Sequence, residues 1–285
     1  MVITSNTLVK KLLIFYLLLV SISFLAIVAA TIAKVPLTSI AAFYMLTPLL
    51  ATLLYCKLTK IKIKDISPKI FTGDYLLLAI GMGLVIPTIT LLVSLLFGYH
   101  ISSSMEGLVQ YGFNRSYLDF ILKGKGPIQV FMIQLVLAGL YGSTINALFA
   151  YCEEIAWRGL LFEKLKRLGF WKASLIIGFV WGLWHIPLIL SGYNYPMHPR
   201  VGVLFMIVFC ILLSPFLIFL RSKSSSVLIP SIMHGTINGS GAIAIAFLSM
   251  NNDLVTGITG ISGFIVLIAT NLTLFLLAKA KQIQL

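Results

Sequence analysis

The chain has 285 residues, of which 59% are hydrophobic and only 10% are charged, and its mean hydropathy is +1.04. A soluble domain of this length carries about a quarter charged residues, so the composition excludes an ordinary soluble protein. Apolar runs long enough to cross a bilayer recur along the whole sequence. We therefore predict an all-α, polytopic membrane helical bundle that forms a single integral membrane domain over residues 1–285.

The first apolar run, 12–33, follows Lys10 and Lys11. It is longer than the roughly 7–15 residues of a signal-peptide core, which favours an uncleaved membrane helix. With this run the sequence predicts about eight spans, and the Gly142–Ser143 pair is expected to kink the fourth. The predicted spans are 12–33, 38–56, 75–97, 129–151 (or to 162), 173–191, 201–220, 227–248 and 258–278. The connection 98–127 is expected to be an amphipathic surface segment.

The net charge of +13 is distributed as in a membrane protein, not as in a nucleic-acid-binding protein. Lys and Arg lie in short segments between apolar runs, as expected for loops that face anionic lipid. If the N-terminus is inside, 16 of the 21 basic residues fall on that side and five on the other. This bias predicts that both termini are cytoplasmic, and the short loops favour a prokaryotic plasma membrane. The five outer basic residues are Lys34, Arg115, Lys123, Lys125 and Arg200.

Cysteines and loop histidines are given no chemical role. Cys56, Cys152 and Cys210 lie in or beside apolar runs without CxxC spacing, which indicates core residues and argues against disulfides or a cysteine metal site. His100 and His198 fall in predicted outer loops, where we expect solvated side chains.

Three apolar segments contain nearly all the intramembrane polar residues, and ionisable groups at such positions commonly mark function. The segments are Glu153-Glu154-x-x-x-Arg158, Trp181-x-x-x-His185 and His234-x-x-x-Asn238. Each of Glu153, His185 and His234 lies about 11–13 residues from the nearest basic loop. At ~1.5 Å of rise per residue, all three side chains are predicted to lie roughly 16–20 Å from the same membrane face.

Helical spacing assigns faces to these side chains. Glu154 and Arg158 are at i,i+4 with the acid first, which favours an ion pair. Glu153, about 100° around the helix, then has no partner on its own helix. Residues 234 and 238 share one helical face, and Trp181 lies beneath His185, where it is expected to hold the imidazole in place.

The combination favours a hydrolase that acts on an acyl bond. A carboxylate and a histidine hold and deprotonate a water, while a second histidine and an amide donate hydrogen bonds to the developing oxyanion. No serine or cysteine has an obvious paired base, so covalent catalysis is less favoured. Alternatively, Glu153, His185 and His234 are zinc ligands, since two histidines and a carboxylate with an open position form a hydrolytic zinc site.

Simpler interpretations exist for each motif alone. EExxxR is compatible with ordinary ion pairing, and the His234–Asn238 pair is compatible with hydrogen bonding between helices. A non-enzymatic transporter or immunity protein with a buried polar cluster is the main alternative for the whole set. A transporter would be expected to show repeated halves with broken helices, and the sequence has no such repeat.

The three motifs together resemble the CAAX prenyl-protease type II family, also called Abi or CPBP intramembrane proteases. The family pattern is EExxxR, then an aromatic residue four positions before a histidine, then HxxxN or a near relative of it. The resemblance covers residues 145–240, which would be the catalytic core. Trp181 stands where the family often has phenylalanine, which keeps an aromatic residue beneath the histidine.

The resemblance implies an eight-helix intramembrane peptidase with a cavity open to the cytoplasm and a glutamate-dependent mechanism without a cofactor. The implied substrate is a hydrophobic or lipid-modified (CAAX-type) peptide or protein tail. The implied roles are Glu153 as general base, His185 as a water ligand, His234 and Asn238 as the oxyanion hole, and Glu154, Arg158 and Trp181 as supporting residues.

Overall fold

The regular structure of the chain is helical, as its composition predicts. The computed structural model describes residues 5–69, 73–102, 104–109 and 114–280. Within these ranges, eight helices form the bundle. They are α1 (Ser5–Ile32), α2 (Leu37–Thr59), α3 (Leu76–Leu95), α4 (Pro127–Leu168), α5 (Phe170–Trp184), α6 (Pro199–Ser224), α7 (Leu228–Ser240) and α8 (Ile261–Ala280). Shorter helices lie between them at Ile63–Ile66, Glu106–Val109, Arg115–Leu122, Ile186–Leu190 and Ile243–Ala246.

Six of the helices in the described residues, α1 to α4 with α6 and α8, are long and apolar enough to cross a membrane. The chain is therefore a multi-pass membrane protein. The predicted spans 173–191 and 227–248 are instead shorter helices, since α5 has 15 residues and α7 has 13. At ~1.5 Å per residue these helices span only about 20 Å of a hydrocarbon layer that is about 30 Å thick.

Local sequence explains why these two helices end early. Pro187 follows the end of α5, and a proline removes a backbone donor and clashes with the preceding turn. At the end of α7, Gly239 and Gly241 flank Ser240, and glycine is a poor helix former. Each helix is followed by a turn and a second short helix. Hydropathy alone therefore overestimated the length of both elements.

Helix α4 is continuous but not uniform. It contains α-helical residues Pro127–Tyr141 and Ala147–Glu154, each followed by a π-helical segment, Gly142–Asn146 and Ile155–Leu161 respectively. The irregularity predicted at Gly142–Ser143 thus takes the form of a π segment. Such segments occur often at functional sites. Here they lie on both sides of the turn that carries the two adjacent glutamates.

Glycines allow the polar helices to approach one another closely. A Cβ atom placed on Gly182 of α5 would lie only 2.6 Å from the Cα of Ile207 on α6. A Cβ on Gly235 of α7 would overlap the backbone nitrogen of Ala147 on α4. Small residues at helix contacts let backbones pack directly in lipid. These contacts hold α5 against α6 and the polar segment of α7 against α4.

The loops gather at two opposite ends of the bundle. At one end, Nη2 of Arg221 donates hydrogen bonds to the carbonyl of Ile66 (3.1 Å) and to the carboxylate of Glu163 (3.0 Å). We call this end, where the α2–α3 connection meets the C-terminal ends of α4 and α6, the basic face. At the other end, the hydroxyl of Tyr195 donates to the carbonyl of Thr259 at 2.8 Å, which joins the α5–α6 and α7–α8 connections. We call this end the opposite face.

One loop histidine differs from expectation. His100 is exposed, as predicted. His198, which was expected to be solvated, instead places Nδ1 2.5 Å from the carboxylate of Asp253, whose side chain is fully buried. The other oxygen of this carboxylate accepts hydrogen bonds from the backbone nitrogens of Met197 and His198. This carboxylate therefore fixes the α5–α6 loop to the α7–α8 loop on the opposite face.

Candidate functional site

The four residues predicted to do the chemistry surround one cavity of about 350 Å³. Glu153 comes from α4, His185 follows α5, and His234 and Asn238 come from α7. Three helices that are distant in sequence therefore present these side chains to a common space. Residue spacing predicts similar depths for Glu153, His185 and His234, and their common cavity is compatible with that prediction.

Glu153 is a buried carboxylate held by indole groups. Only 2% of the residue is exposed. Its Oε2 atom accepts hydrogen bonds from Nε1 of Trp181 at 2.6 Å and from Nε1 of Trp157 at 3.4 Å. An indole N–H is a donor that carries no charge, so the carboxylate is oriented without being neutralised. Both indoles donate to the same oxygen, Oε2, so neither of them occupies Oε1.

Glu154 occupies a different environment although it is adjacent in sequence. Its Oε1 atom accepts a hydrogen bond from Nη1 of Arg158 at 2.9 Å, and both side chains are fully buried. The predicted ion pair is therefore confirmed. The same oxygen lies 2.9 Å from Nδ1 of His234, and Nη2 of Arg158 donates to the hydroxyl of Ser214 at 2.9 Å. Helical spacing on α4 alone does not reveal these two partners.

The hydrogen-bond partners assign the histidine tautomers. Nδ1 of His185 lies 3.0 Å from the carbonyl oxygen of Trp181, which only accepts, so Nδ1 carries a hydrogen. Nδ1 of His234 faces the carboxylate of Glu154 and carries a hydrogen for the same reason. In both rings Nε2 is the remaining nitrogen. It accepts hydrogen bonds in a neutral ring and donates one in an imidazolium.

Trp181 has more contacts than the sequence predicts. Its ring centroid lies 5.8 Å from that of His185, in agreement with the expected contact. It also lies 5.2 Å from the ring of His234, and the guanidinium carbon of Arg158 lies 4.6 Å from its centroid. A cation over an indole ring is stabilised by the ring quadrupole. Trp181 thus separates Arg158 from Glu153 while it binds both.

Several site residues were missed by sequence reasoning. Trp157 follows Glu153 by four residues, so the helical spacing that identified the Glu154–Arg158 pair also predicts this contact. Asn146 lines the cavity and lies two helical turns before Glu153. The ring of Trp184 packs edge-on against His185 with centroids 4.7 Å apart. That contact had no clear signal, because residues 184 and 185 are adjacent on the helix.

The arrangement does not fit the alternative zinc site. In the described part of the chain, no three His, Cys, Asp or Glu side chains are grouped so that they could hold a metal ion.

A second cavity of about 360 Å³ lies beside the first. Its wall is mainly aliphatic and includes Leu118, Val130, Leu137 and Ile243. Asn146 lines both cavities. An apolar space therefore adjoins the polar site, with one amide side chain at the boundary.

Sequence comparisons identify what this region is similar to. Residues 136–240 match the family described as "Type II CAAX prenyl endopeptidase Rce1-like". Within the chain, 49 residues are 45% identical to a protein of Methanococcus maripaludis named "CAAX prenyl protease 2". This match covers 17% of the present chain and 18% of that protein. All three polar motifs lie inside the region that matches the family.

Proposed function

We propose that this chain is an intramembrane endopeptidase of the Rce1-like type II CAAX prenyl endopeptidase family, whose model residues 136–240 match. The bond cleaved would lie beside a hydrophobic or lipid-modified (CAAX-type) part of the substrate. The observation that carries this proposal is the buried Glu153 carboxylate, held by two indole N–H groups at the wall of a polar cavity. A carboxylate that is oriented but not neutralised is suited to act as a general base.

In the proposed reaction, Oε1 of Glu153 takes a proton from a water molecule as the water oxygen attacks the carbonyl carbon of the scissile peptide bond. Nε2 of His185 accepts a hydrogen bond from the same water, because Nδ1–H of this ring is directed to the carbonyl of Trp181. The protonated Glu153 then gives the proton to the leaving nitrogen as the C–N bond breaks. The products are a carboxylate and an amine.

The developing oxyanion would be stabilised by His234 and Asn238. Since Nδ1–H of His234 faces Glu154, the ring donates from Nε2 only as an imidazolium. In that form the ring would pair with the carboxylate of Glu154, which lies 2.9 Å from Nδ1. Asn238 lies one helical turn further along α7 and supplies a neutral amide donor. Loss of one such donor commonly lowers kcat about 10²–10³-fold.

The second cavity supports a substrate with an apolar group near the scissile bond. Its aliphatic wall and the shared Asn146 are suited to a hydrophobic side chain or lipid chain next to the peptide bond. The relative from Methanococcus maripaludis is named as a prenyl protease, which agrees with a lipid group of this kind. We further propose that residues 145–240 form the catalytic core and that the protein lies in the plasma membrane. We also propose that the N- and C-termini are cytoplasmic, because 16 of the 21 Lys and Arg residues are predicted on that side and five on the other.

The test is cleavage by purified wild-type protein and Glu153→Gln, with a prenylated CAAX-type peptide and its unmodified apolar counterpart as probes. Glutamine keeps an acceptor oxygen for the indole of Trp181 but is not a base. We expect turnover to fall by about 10³-fold while the melting temperature is unchanged. Glu163→Gln is the matched control, because this glutamate lies on the basic face with 20% of its side chain exposed. Equal cleavage by wild type and Glu153→Gln would remove the proposed base.

A further inference from the structure

Asn146 is a polar side chain in an apolar part of α4. It is the last residue of the π-helical segment Gly142–Asn146 and is only partly exposed. Within the described part of the chain, its side-chain amide has no hydrogen-bond partner. An amide in a membrane helix is costly when it has no partner, and polar residues at such positions commonly serve a function. The fold therefore does not account for this amide.

Helical spacing places Asn146 on the same side of α4 as Glu153. The residues between them belong to the regular α-helical part of α4, Ala147–Glu154. At about 100° per residue, a separation of seven residues falls only about 20° short of two full turns. Both side chains line the first cavity, which agrees with this spacing. Asn146 thus faces the space in front of the proposed base from about 10 Å further along the helix.

Asn146 also marks the place where the two cavities meet. Among the described residues, it is the one that lines both of them. The wall across from it is the end of α7, where Asn238 lines the first cavity and Gly239 lines the second. A Cβ atom on Gly239 would lie 3.2 Å from Nδ2 of Asn146, so the missing side chain leaves room for the amide. Asn146 therefore lies opposite the residue that follows the proposed oxyanion donor.

We propose that Asn146 binds the substrate backbone at the residue that carries the apolar group, at the peptide link of this residue that is not cleaved. This role rests on the proposed function, which puts the apolar group in the second cavity and the scissile bond in the first. The residue that joins the two must pass Asn146. Its peptide N–H loses water there and needs an acceptor, because an unpaired peptide group is costly in apolar surroundings. Oδ1 of Asn146 supplies that acceptor.

Binding of an uncleaved peptide tests this role. All proteins carry Glu153→Gln, so that a prenylated CAAX-type peptide stays intact while its Kd is measured. The variants added to this parent are Asn146→Ala, Asn146→Leu and, as the matched control, Thr144→Ala. Thr144 belongs to the same π segment but is exposed and is not among the residues that line either cavity.

We expect each Asn146 variant to bind the peptide about tenfold more weakly, since one hydrogen bond is lost. Thr144→Ala is expected to bind it as the parent does. Because the amide of Asn146 has no partner in the described part of the chain, both of its variants are expected to fold normally. Leucine keeps the size of asparagine, so wild-type affinity of Asn146→Leu would show that size and not hydrogen bonding matters, and the inference would be wrong.

A peptide with an ester in place of the uncleaved link identifies the group that Asn146 binds. The ester removes one N–H and leaves every side chain in place. We expect the parent to bind this peptide about tenfold more weakly than the amide peptide, and Asn146→Ala to bind both peptides within about twofold of each other. An ester three links further from the scissile bond is the control peptide, and its effect is expected to be equal in both proteins. An equal loss for the first ester in both proteins would overturn the inference.

Turnover separates substrate binding from catalysis. With Glu153 restored, Asn146→Ala is expected to raise KM about tenfold and to leave kcat within about threefold of wild type. A fall in kcat with unchanged KM would instead make Asn146 an oxyanion donor and would overturn the inference. Binding that depends on Asn146 without any cleavage contradicts the proposed function alone. Cleavage that does not depend on Asn146 contradicts the inference alone, and the absence of both binding and cleavage contradicts both.

Discussion

Replacement of Glu154 by glutamine removes the negative charge that two other site residues share. The carboxylate lies 2.9 Å from both Nη1 of Arg158 and Nδ1 of His234. Glutamine keeps the size and one acceptor oxygen but leaves the buried guanidinium beside a neutral amide. Two of the cation's other contacts survive, namely the Ser214 hydroxyl and the ring of Trp181.

The structure sets the size of the expected effect. Breaking a buried ion pair by removing one partner costs about 3–5 kcal/mol, because an uncompensated charge stays buried. At about 2–4 °C per kcal/mol for a chain of this size, the melting temperature falls on the order of 10 °C. His234 also loses the carboxylate partner of its Nδ1, so one proposed oxyanion donor is held less firmly. We therefore expect turnover of the folded fraction to fall by about 10²-fold.

Melting in detergent and turnover corrected for folded protein measure the two effects separately. The matched variant is Glu163→Gln. It also removes the glutamate of an ion pair with an arginine, Arg221, but this glutamate is partly exposed. Arg221 keeps its hydrogen bonds to the carbonyls of Arg158 and Ile66 in this variant, so the change is expected to cost less than Glu154→Gln. Wild-type melting and turnover for Glu154→Gln would refute the reasoning. A stable but inactive Glu154→Gln, together with an active Glu153→Gln, would instead reverse the two proposed roles.

Three further predictions follow from the site and its packing. Prolonged chelation is expected to leave cleavage unchanged, and a loss that zinc restores would instead support the zinc alternative. Gly182→Ala, whose Cβ would lie 2.6 Å from the Cα of Ile207, is expected to cost about 1–3 kcal/mol in a thermal melt, whereas Gly81→Ala, with open space around it, is not. Trp181→Phe keeps an aromatic ring but removes the 2.6 Å hydrogen bond to Glu153, so turnover should fall about tenfold with Trp157 still in place. An unchanged rate would show that this bond is not needed to orient the base.

The helical membrane fold could be predicted because hydropathy is a property of composition. Each of the eight bundle helices overlaps one of the eight predicted apolar runs. The lengths of α5 and α7 could not be predicted in the same way. Hydropathy averaged over many residues does not detect the local effect of Pro187 or of Gly239 and Gly241 on helix length. The orientation of the bundle in the membrane stays a prediction from the loop charges.

The site was predictable where contacts are local. The Glu154–Arg158 pair follows from i,i+4 spacing, and the same spacing also predicts the contact of Trp157 with Glu153. The contacts of Glu154 with His234 and of Arg158 with Ser214 join different helices, so they depend on how the helices pack. The position of a side chain does not establish its catalytic role. The roles of Glu153, His185, His234 and Asn238 therefore remain predictions.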